Sequence, residues 1–150
     1  MIIRAATAAE ADLLSELALR SKAHWGYSDA FIEACRNELT VRPDQIQNTV
    51  CADDNGELVG FYGLVPVSDD TVELEALFVE PSRIGSGVGK ALIEHAISRA
   101  SAQGASRMLV EGDPNATAFY LAAGASQIGE RPSGSIPGRR LPLFEIPIKA

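Results

Sequence analysis

Hydrophobic periodicity divides the first 40 residues into one short strand and two helices. Ile2-Ile3-Arg4 predicts the strand, and Thr7-Ala8-Ala9-Glu10 has the S/T-x-x-E pattern that begins a helix. The helical stripe that follows comprises Leu13, Leu14, Leu17, Ala18 and Ser21. The segment HWGYS interrupts this stripe, and Ser28 is expected to begin a second helix that runs to about Leu39.

Residues 47–68 read QNTVCADDNGELVGFYGLVPVS and predict a β-hairpin. Two apolar runs flank Asp54-Asn55-Gly56, and Asn-Gly tolerates the positive φ angles of tight turns. Asp69-Asp70 predicts another turn, and TVELEALFVE after it predicts a strand. Strict alternation along that strand predicts two faces, with Glu73, Glu75, Leu77 and Val79 on one and Leu74, Ala76 and Phe78 on the other.

A glycine-rich segment, RIGSGVGK, leads directly into the third predicted helix. Helical spacing of Leu92, Ile93, Ala96, Ile97 and Ala100 defines that helix, and Gly104 ends it. The strand RMLVEG follows at once, so this unit predicts a right-handed parallel crossover. The helix therefore begins at the carboxyl end of the preceding strand, where ligands bind in open α/β sheets.

The last third of the chain predicts one short helix and two strands. Asp113-Pro114-Asn115 offers a cap and a proline at the first helical position, and the helix over NATAFYLAAGA ends at Gly124. The strands ASQIGER and LPLFEIPI are joined by RPSGSIPGRR. With 150 residues and 46% hydrophobic content, the chain is expected to form one domain over residues 1–150.

The charge and composition of the chain bear on its partners, its location and its metal content. A net charge of -7 argues against nucleic acid or an anionic membrane as the main partner. No apolar run approaches the roughly 20 residues of a membrane span, so we expect a cytoplasmic protein. Cys35 and Cys51 lie in apolar patterns and are expected to be buried. His24 and His95 have no other ligand types at metal-binding spacing, so we expect no metal.

The glycine loop is compatible with several ligands. Bare N–H groups at a helix start suit a phosphate. A P-loop needs G-x-x-x-x-G-K-[ST], but Gly85 to Gly89 is one residue short and Ala91 replaces the hydroxyl. A dinucleotide fingerprint needs G-x-G-x-x-G, whereas this loop gives G-x-G-x-G. A glycine-rich turn without a ligand also remains open.

Two segments in order resemble the GNAT superfamily of acetyl-CoA-dependent N-acetyltransferases. LFVEPSRIGSGVGKALIEHAI is similar to its acetyl-CoA-binding segment, and Asn115-Ala116-Thr117-Ala118-Phe119-Tyr120-Leu121-Ala122-Ala123-Gly124 to its second element. The resemblance implies an α/β fold with a mixed, largely antiparallel sheet of about 6–7 strands, flanked by about four helices, around the parallel strand-helix-strand unit. Ile84 stands where the superfamily has Arg or Gln, with Arg83 one residue earlier.

The resemblance implies acetyl-CoA as cosubstrate and a set of residues that bind it. Backbone groups of Leu77, Phe78 and Val79 would pair with the pantetheine arm, as in β-augmentation. The pyrophosphate would lie on the loop that comprises Ile84, Gly85, Ser86, Gly87, Val88, Gly89 and Lys90. Asn115, Phe119 and Tyr120 would complete the cofactor-binding set, although Asn115 is equally explained as a helix cap.

Acyl transfer to an amine needs a base and a proton donor for the departing thiolate. The resemblance makes Tyr120 the general acid, since a phenol keeps its proton at pH 7; a core aromatic is the alternative. Glu75 or Glu73 is the candidate base, because a carboxylate beside apolar side chains has a raised pKa. A solvated strand end or an ion pair with an arginine is the alternative for both.

The resemblance implies an acceptor pocket between the first two helices and the late strands. Its candidates are His24, Trp25, Tyr27, Ser133, Ser135, Arg139 and Arg140. Aromatic faces favour a cation, whereas arginines favour a carboxylate or phosphate, so a zwitterion such as an amino acid fits both. The hypothesis is N-acetylation of the primary amine of a small molecule, and a protein or peptide acceptor remains open. A non-catalytic acyl-CoA sensor and a nucleotide-binding domain are the alternative functions. A homodimer is common for such small enzymes.

Overall fold

A computed structural model describes residues 1–149 of the chain. Its seven strands form one sheet in the order β1-β2-β3-β4-β5-β7-β6. In these residues β4 and β5 are the one parallel pair, and the other neighbours are antiparallel. The strands are β1 (Ile2–Ala5), β2 (Thr49–Asp54), β3 (Glu57–Pro66), β4 (Thr71–Val79), β5 (Arg107–Glu111), β6 (Ser126–Pro132) and β7 (Arg140–Pro147).

Helices cover both faces of the sheet and create two hydrophobic cores. The α-helices are α1 (Ala11–Ala23), α2 (Asp29–Leu39), α3 (Val88–Ala102) and α4 (Thr117–Ala122). One core joins α3 and Tyr120 of α4 to the sheet, and the other lies under α1 and α2. The predicted mixed sheet, four α-helices and central parallel unit are confirmed.

Local signals in the sequence explain most element boundaries. Ser28 Oγ accepts a hydrogen bond from the Phe31 N–H at 3.1 Å, so the predicted start of α2 is confirmed. In the β2–β3 turn, Asn55 and Gly56 have φ angles of 53° and 92°, as the Asn-Gly signal requires. A short 3-10 helix over Pro43–Asn48 was not predicted. Cys35 and Cys51 are buried and free, as expected.

A β-bulge in β4 makes the predicted alternation of this strand wrong. Gly63 of β3 pairs with Ala76, but the next residue, Leu64, pairs with Leu74, so Glu75 is the extra residue. The side-chain pattern therefore shifts at this point. Leu74, Leu77 and Val79 all pack with the core on the α3 side, whereas Ala76 and Phe78 pack with the core under α1 and α2.

Gly63 provides the space that the bulge needs. A Cβ at this position would lie 3.2 Å from Cγ of Glu75, which is closer than ordinary packing allows. The Glu75 side chain therefore packs over the backbone of Gly63, which has no side chain to obstruct it. The bulge and the glycine together set where a carboxylate leaves the sheet.

One prediction on stability concerns the pair that holds β1 against the start of α1. Arg4 binds Glu10 through two nitrogens at 3.0 and 2.7 Å, and Glu10 also accepts the Thr7 N–H at 2.9 Å. These hydrogen bonds lower the pKa of Glu10 to about 2. Because the folded pKa is depressed, the carboxylate stabilises the fold above its unfolded pKa of about 4.3 and loses this effect as the pH falls toward 2.

We therefore expect Glu10→Gln to lower the free energy of unfolding by about 1 kcal/mol at pH 7. Urea denaturation of the two proteins should converge near pH 2. Glu33→Gln is the control, since Glu33 pairs with Arg36 on the exposed face of α2. A difference that persists unchanged at low pH would contradict this account of the Arg4 pair.

Candidate active site

The parallel strands β4 and β5 pair over only part of their length. Their register runs from Thr71↔Arg107 to Leu74↔Val110, at the bulge, while β4 continues to Val79. On its other edge β4 stays paired with β3 as far as Val79. Within residues 1–149, the β5-facing edge of residues 75–79 thus has no strand partner, and its backbone groups are available to an extended ligand.

A cavity of about 720 Å³ opens where the two strands separate. Residues 73–79 of β4 line one side, and Gly112, Asn115, Phe119 and Tyr120 line another. At one end lies the glycine loop that precedes α3. The cavity therefore joins the open strand edge, the start of a helix and a buried tyrosine in one continuous space.

The glycine loop has a backbone shape that few other residues adopt. Gly85 and Gly87 have φ angles of +84° and +94°, and a Cβ on either would meet no atom within 4 Å. Positive φ, rather than crowding, requires glycine there. Gly87 directly precedes α3, whose first N–H groups have no intrahelical partners. An anion at this end meets donors and the positive end of the helix dipole.

The predicted cofactor residues divide into those that reach the cavity and those that do not. Ser86 and Val88 lie outside the lining; Val88 is only 4% exposed and packs in the core. The Arg83 guanidinium is held by Asp54 at 2.7 Å and still lines the cavity. The predicted residues in the lining are Leu77, Phe78, Val79, Ile84, Gly85, Gly87, Gly89, Lys90, Asn115, Phe119 and Tyr120.

Tyr120 is held by aromatic packing at the inner wall of the cavity. Its ring lies 5.2 Å from that of Phe119 and 5.4 Å from that of Phe144, and only 6% of the residue is exposed. A Cβ on Gly112 would approach the Tyr120 ring to 3.0 Å, so this position has to stay bare. Burial, with a smaller contribution from Asp113, raises the pKa of Tyr120, so the hydroxyl keeps its proton at physiological pH.

Glu75 and Glu73 both line the cavity but differ in their partners. Arg131 donates to Glu73 Oε1 at 3.0 Å, so Glu73 is in an ion pair. Glu75, on the bulge, is exposed to the cavity. The protein atoms around its carboxyl raise the pKa of Glu75, and the charge of Glu73 raises it further. The raised pKa predicted for this carboxylate is thus confirmed, although the bulge, and not Leu77 or Val79, sets its surroundings.

The aromatic acceptor candidates lie at different distances from the cavity. Trp25 lines it and is 41% exposed. His24 packs edge-on against Trp25 and is exposed outside the lining. Tyr27 stacks on Phe31 with 4.1 Å between ring centroids, and its hydroxyl is bonded to Asp113. Only the indole of this segment therefore faces the cavity.

The β6–β7 loop contributes to the site mainly through hydrogen bonds. Ser135 donates to Glu38 of α2 at 2.7 Å, and Glu38 lines the cavity. The Ser133 hydroxyl accepts two backbone N–H groups within the loop, so it fixes the loop shape. Arg140 is exposed and pairs with Glu130 at 3.5 Å, outside the lining.

Asp113 links the remaining candidates in one polar network. Lys22 donates to it at 2.5 Å, the Tyr27 hydroxyl at 3.0 Å and the Asn115 N–H at 2.8 Å, while Arg139 lies 3.7 Å away. Burial alone would raise the pKa of Asp113, but these donors lower it. Arg139 is thereby paired and stacked on Phe31, so neither predicted arginine is free to bind an acceptor carboxylate.

Sequence reasoning missed three further carboxylates in the lining: Glu38, Glu111 and Asp113, the last of which was predicted only as a helix cap. Glu111 ends β5, at the carboxyl end of a parallel strand, and that position was a usable signal. Glu38 lies on α2 without any local signal of function. No group of three or more potential ligands in residues 1–149 is arranged to hold a metal, and none of their helices has the length and apolar character to cross a bilayer.

Comparison with known proteins identifies the family. The model of the acetyltransferase (GNAT) family matches residues 12–125. No curated protein shows significant similarity to the chain.

Solved structures share the fold at low sequence identity. The chain is similar to the PaiA N-acetyltransferase from Thermoplasma acidophilum in complex with coenzyme A (22% identity, 97% of this chain and 98% of that chain, TM-score 0.77). It is also similar to an aminoglycoside 6'-N-acetyltransferase complexed with coenzyme A (21% identity, 100% of this chain and 98% of that chain, TM-score 0.75). A third similar structure is a GCN5-related N-acetyltransferase from Rhodopseudomonas palustris (22% identity, 97% of this chain and 94% of that chain, TM-score 0.80). Since the family model covers most of the chain, the protein belongs to the acetyltransferase (GNAT) family, in which acetyl-CoA is the acetyl donor.

Proposed function

We propose that the protein transfers the acetyl group of acetyl-CoA to the primary amine of a small molecule. The observation that carries this proposal is the cavity at the separation of β4 and β5. It holds a carboxylate with a raised pKa, Glu75, and a protonated phenol, Tyr120. These are the two proton-transfer groups that amide formation from a thioester needs.

The residues present fit acetyl-CoA. The unpaired edge of residues 75–79 can add the pantetheine arm as an extra strand, and the N–H groups at the start of α3 suit its pyrophosphate. Lys90 lines the same end and adds positive charge. Backbone donors are independent of side-chain identity, so Ile84 in place of a basic or amide residue leaves this binding mode intact.

In the proposed reaction, Glu75 accepts the proton of the incoming ammonium, directly or through water. The amine nitrogen then forms a bond to the acetyl carbon. As the carbon–sulfur bond breaks, the nitrogen releases its second proton to solvent and becomes the amide nitrogen. Tyr120 donates its proton to the departing thiolate and recovers one from solvent. Burial keeps Tyr120 protonated, so its hydroxyl can donate to the sulfur as the thiolate leaves.

The fit to acetyl-CoA can be tested by thermal unfolding. Acetyl-CoA at about 100 times its dissociation constant should add about 2.7 kcal/mol of stability, whereas ATP and NAD should not. Gly87→Ala should remove most of this stabilisation, because a side chain at φ +94° distorts the start of α3.

Gly104→Ala is the matched control. Gly104 follows the other end of α3, has φ +82° and open space, and lies outside the cavity. Both variants should lose similar intrinsic stability, but only Gly87→Ala should lose the response to acetyl-CoA. A response to ATP or NAD alone would contradict the proposal, and equal responses of both variants would place the pyrophosphate elsewhere.

A further inference from the structure

We propose that the acceptor carries a second ammonium group, and that Glu38 and Glu111 hold this second charge while the reacting amine faces Glu75. The acceptor class is then a diamine or polyamine, in place of the zwitterion that the sequence favoured. This inference rests on the proposed function and names its substrate.

Negative charge is concentrated at one end of the cavity. Glu38, Glu73, Glu75 and Glu111 all line it. Burial is the main cause of the raised pKa of Glu111; Arg131 lowers it, and the charges of Glu38 and Glu73 raise it further, so these carboxylates lie within electrostatic reach of one another. The glycine loop follows Val79, and at about 3.3 Å per residue the strand places it roughly 20 Å from Glu73.

The cations nearby do not neutralise this end. Arg131 pairs with Glu73 at 3.0 Å and lies 3.8 Å from Glu111, whereas Glu38 and Glu75 have no ion pair within residues 1–149, so this one guanidinium does not offset all four carboxylates. The ammonium of Lys22 is 2.5 Å from Asp113, which binds it in a separate pair.

Lys90 and the positive end of the α3 dipole lie at the opposite end of the cavity, beside the glycine loop; Arg83 also lines this end, but Asp54 holds its guanidinium at 2.7 Å. The cavity therefore has a positive end that suits the pyrophosphate and a negative end that suits a cation. A carboxylate-bearing acceptor would meet repulsion at the second end.

Two further side chains mark this space as a ligand site. Tyr120 is more than nine-tenths buried and lines the cavity, yet its hydroxyl has no hydrogen-bond partner in residues 1–149. The hydroxyl is open to the cavity, so a ligand bound there can supply its partner. Trp25 presents an exposed indole to the same cavity, and an aromatic face attracts an ammonium group.

The test compares α,ω-diaminoalkanes with 1-aminoalkanes of the same length, using the full chain, acetyl-CoA and thiol release as the readout. At the best length, kcat/KM for the diamine should exceed that for the monoamine by about tenfold or more, corresponding to about 1.4 kcal/mol. The ratio should fall as salt rises, because the attraction is electrostatic.

Glu38→Gln and Glu111→Gln should bring this ratio close to one, mainly through a higher KM for the diamine. Glu38 is exposed, so its variant is expected to fold even if Glu111→Gln does not. Glu130→Gln is the control, because Glu130 is an exposed carboxylate outside the cavity; its ratio should match that of the unmodified protein.

Equal kcat/KM for diamine and monoamine, or a preference for an amino acid, would overturn the inference while leaving amine acetylation intact. If no amine is acetylated, the proposed function fails separately. In that case, calorimetry of diamine and monoamine binding to the CoA-saturated protein tests the inference, because binding can be measured in the absence of a reaction. Preferential binding of the diamine that Glu38→Gln abolishes supports it, and no preference overturns it.

Discussion

Tyr120→Phe should reduce kcat by about 10²- to 10⁴-fold while the stabilisation by acetyl-CoA is retained. The substitution removes one hydroxyl and keeps the ring that packs between Phe119 and Phe144. Because the aromatic packing is retained, the melting temperature should change little. Steady-state kinetics beside thermal unfolding separates the loss of rate from any loss of structure.

Tyr62→Phe provides the matched control for this experiment. Tyr62 is fully buried in the sheet, lies outside the cavity, and its hydroxyl shares a 2.7 Å hydrogen bond with Nδ1 of His95. It should lose about 1 kcal/mol of stability and keep its kcat. The opposite result, a normal rate in Tyr120→Phe, would mean that water or another group protonates the thiolate. If the unmodified protein itself shows no acetyl transfer, it is instead a non-catalytic acyl-CoA sensor.

Glu75→Gln should lower kcat/KM by a similar factor and abolish the acidic limb of its pH profile. The base acts only when it is unprotonated, so activity rises as the pH passes through the pKa of Glu75. Since burial and the charge of Glu73 raise that pKa, the limb should lie above the ordinary carboxylate range. The amide keeps the size of the side chain, so the cavity should retain its shape.

Glu73→Gln distinguishes the two candidate bases. Because the charge of Glu73 raises the pKa of Glu75, its removal should displace the acidic limb to lower pH without abolishing it. Release of the Arg131 guanidinium from its ion pair acts in the same direction. If Glu73→Gln abolishes the limb and Glu75→Gln leaves it in place, the roles of the two glutamates are reversed.

The sequence determined most of the secondary structure and the cofactor end of the site. Helix caps, the Asn-Gly turn and the run of glycines are local signals, because each depends on a few neighbouring dihedral angles and hydrogen bonds. The order of a strand, the glycine loop and a helix also determined that the loop lies at the carboxyl end of β4. These features could be read from short segments of the chain without knowing the sheet.

Only the tertiary structure decided the faces of β4 and the charge of the acceptor end. The bulge at Glu75 depends on Gly63 of β3, twelve residues away, so period-2 alternation fails without that partner. Arg139 looked available for an acceptor carboxylate, but Asp113 and Tyr27 bind it across more than 20 residues of sequence. Glu38 and Glu111 come from α2 and β5, and electrostatic contacts between distant segments leave no periodic trace in the sequence.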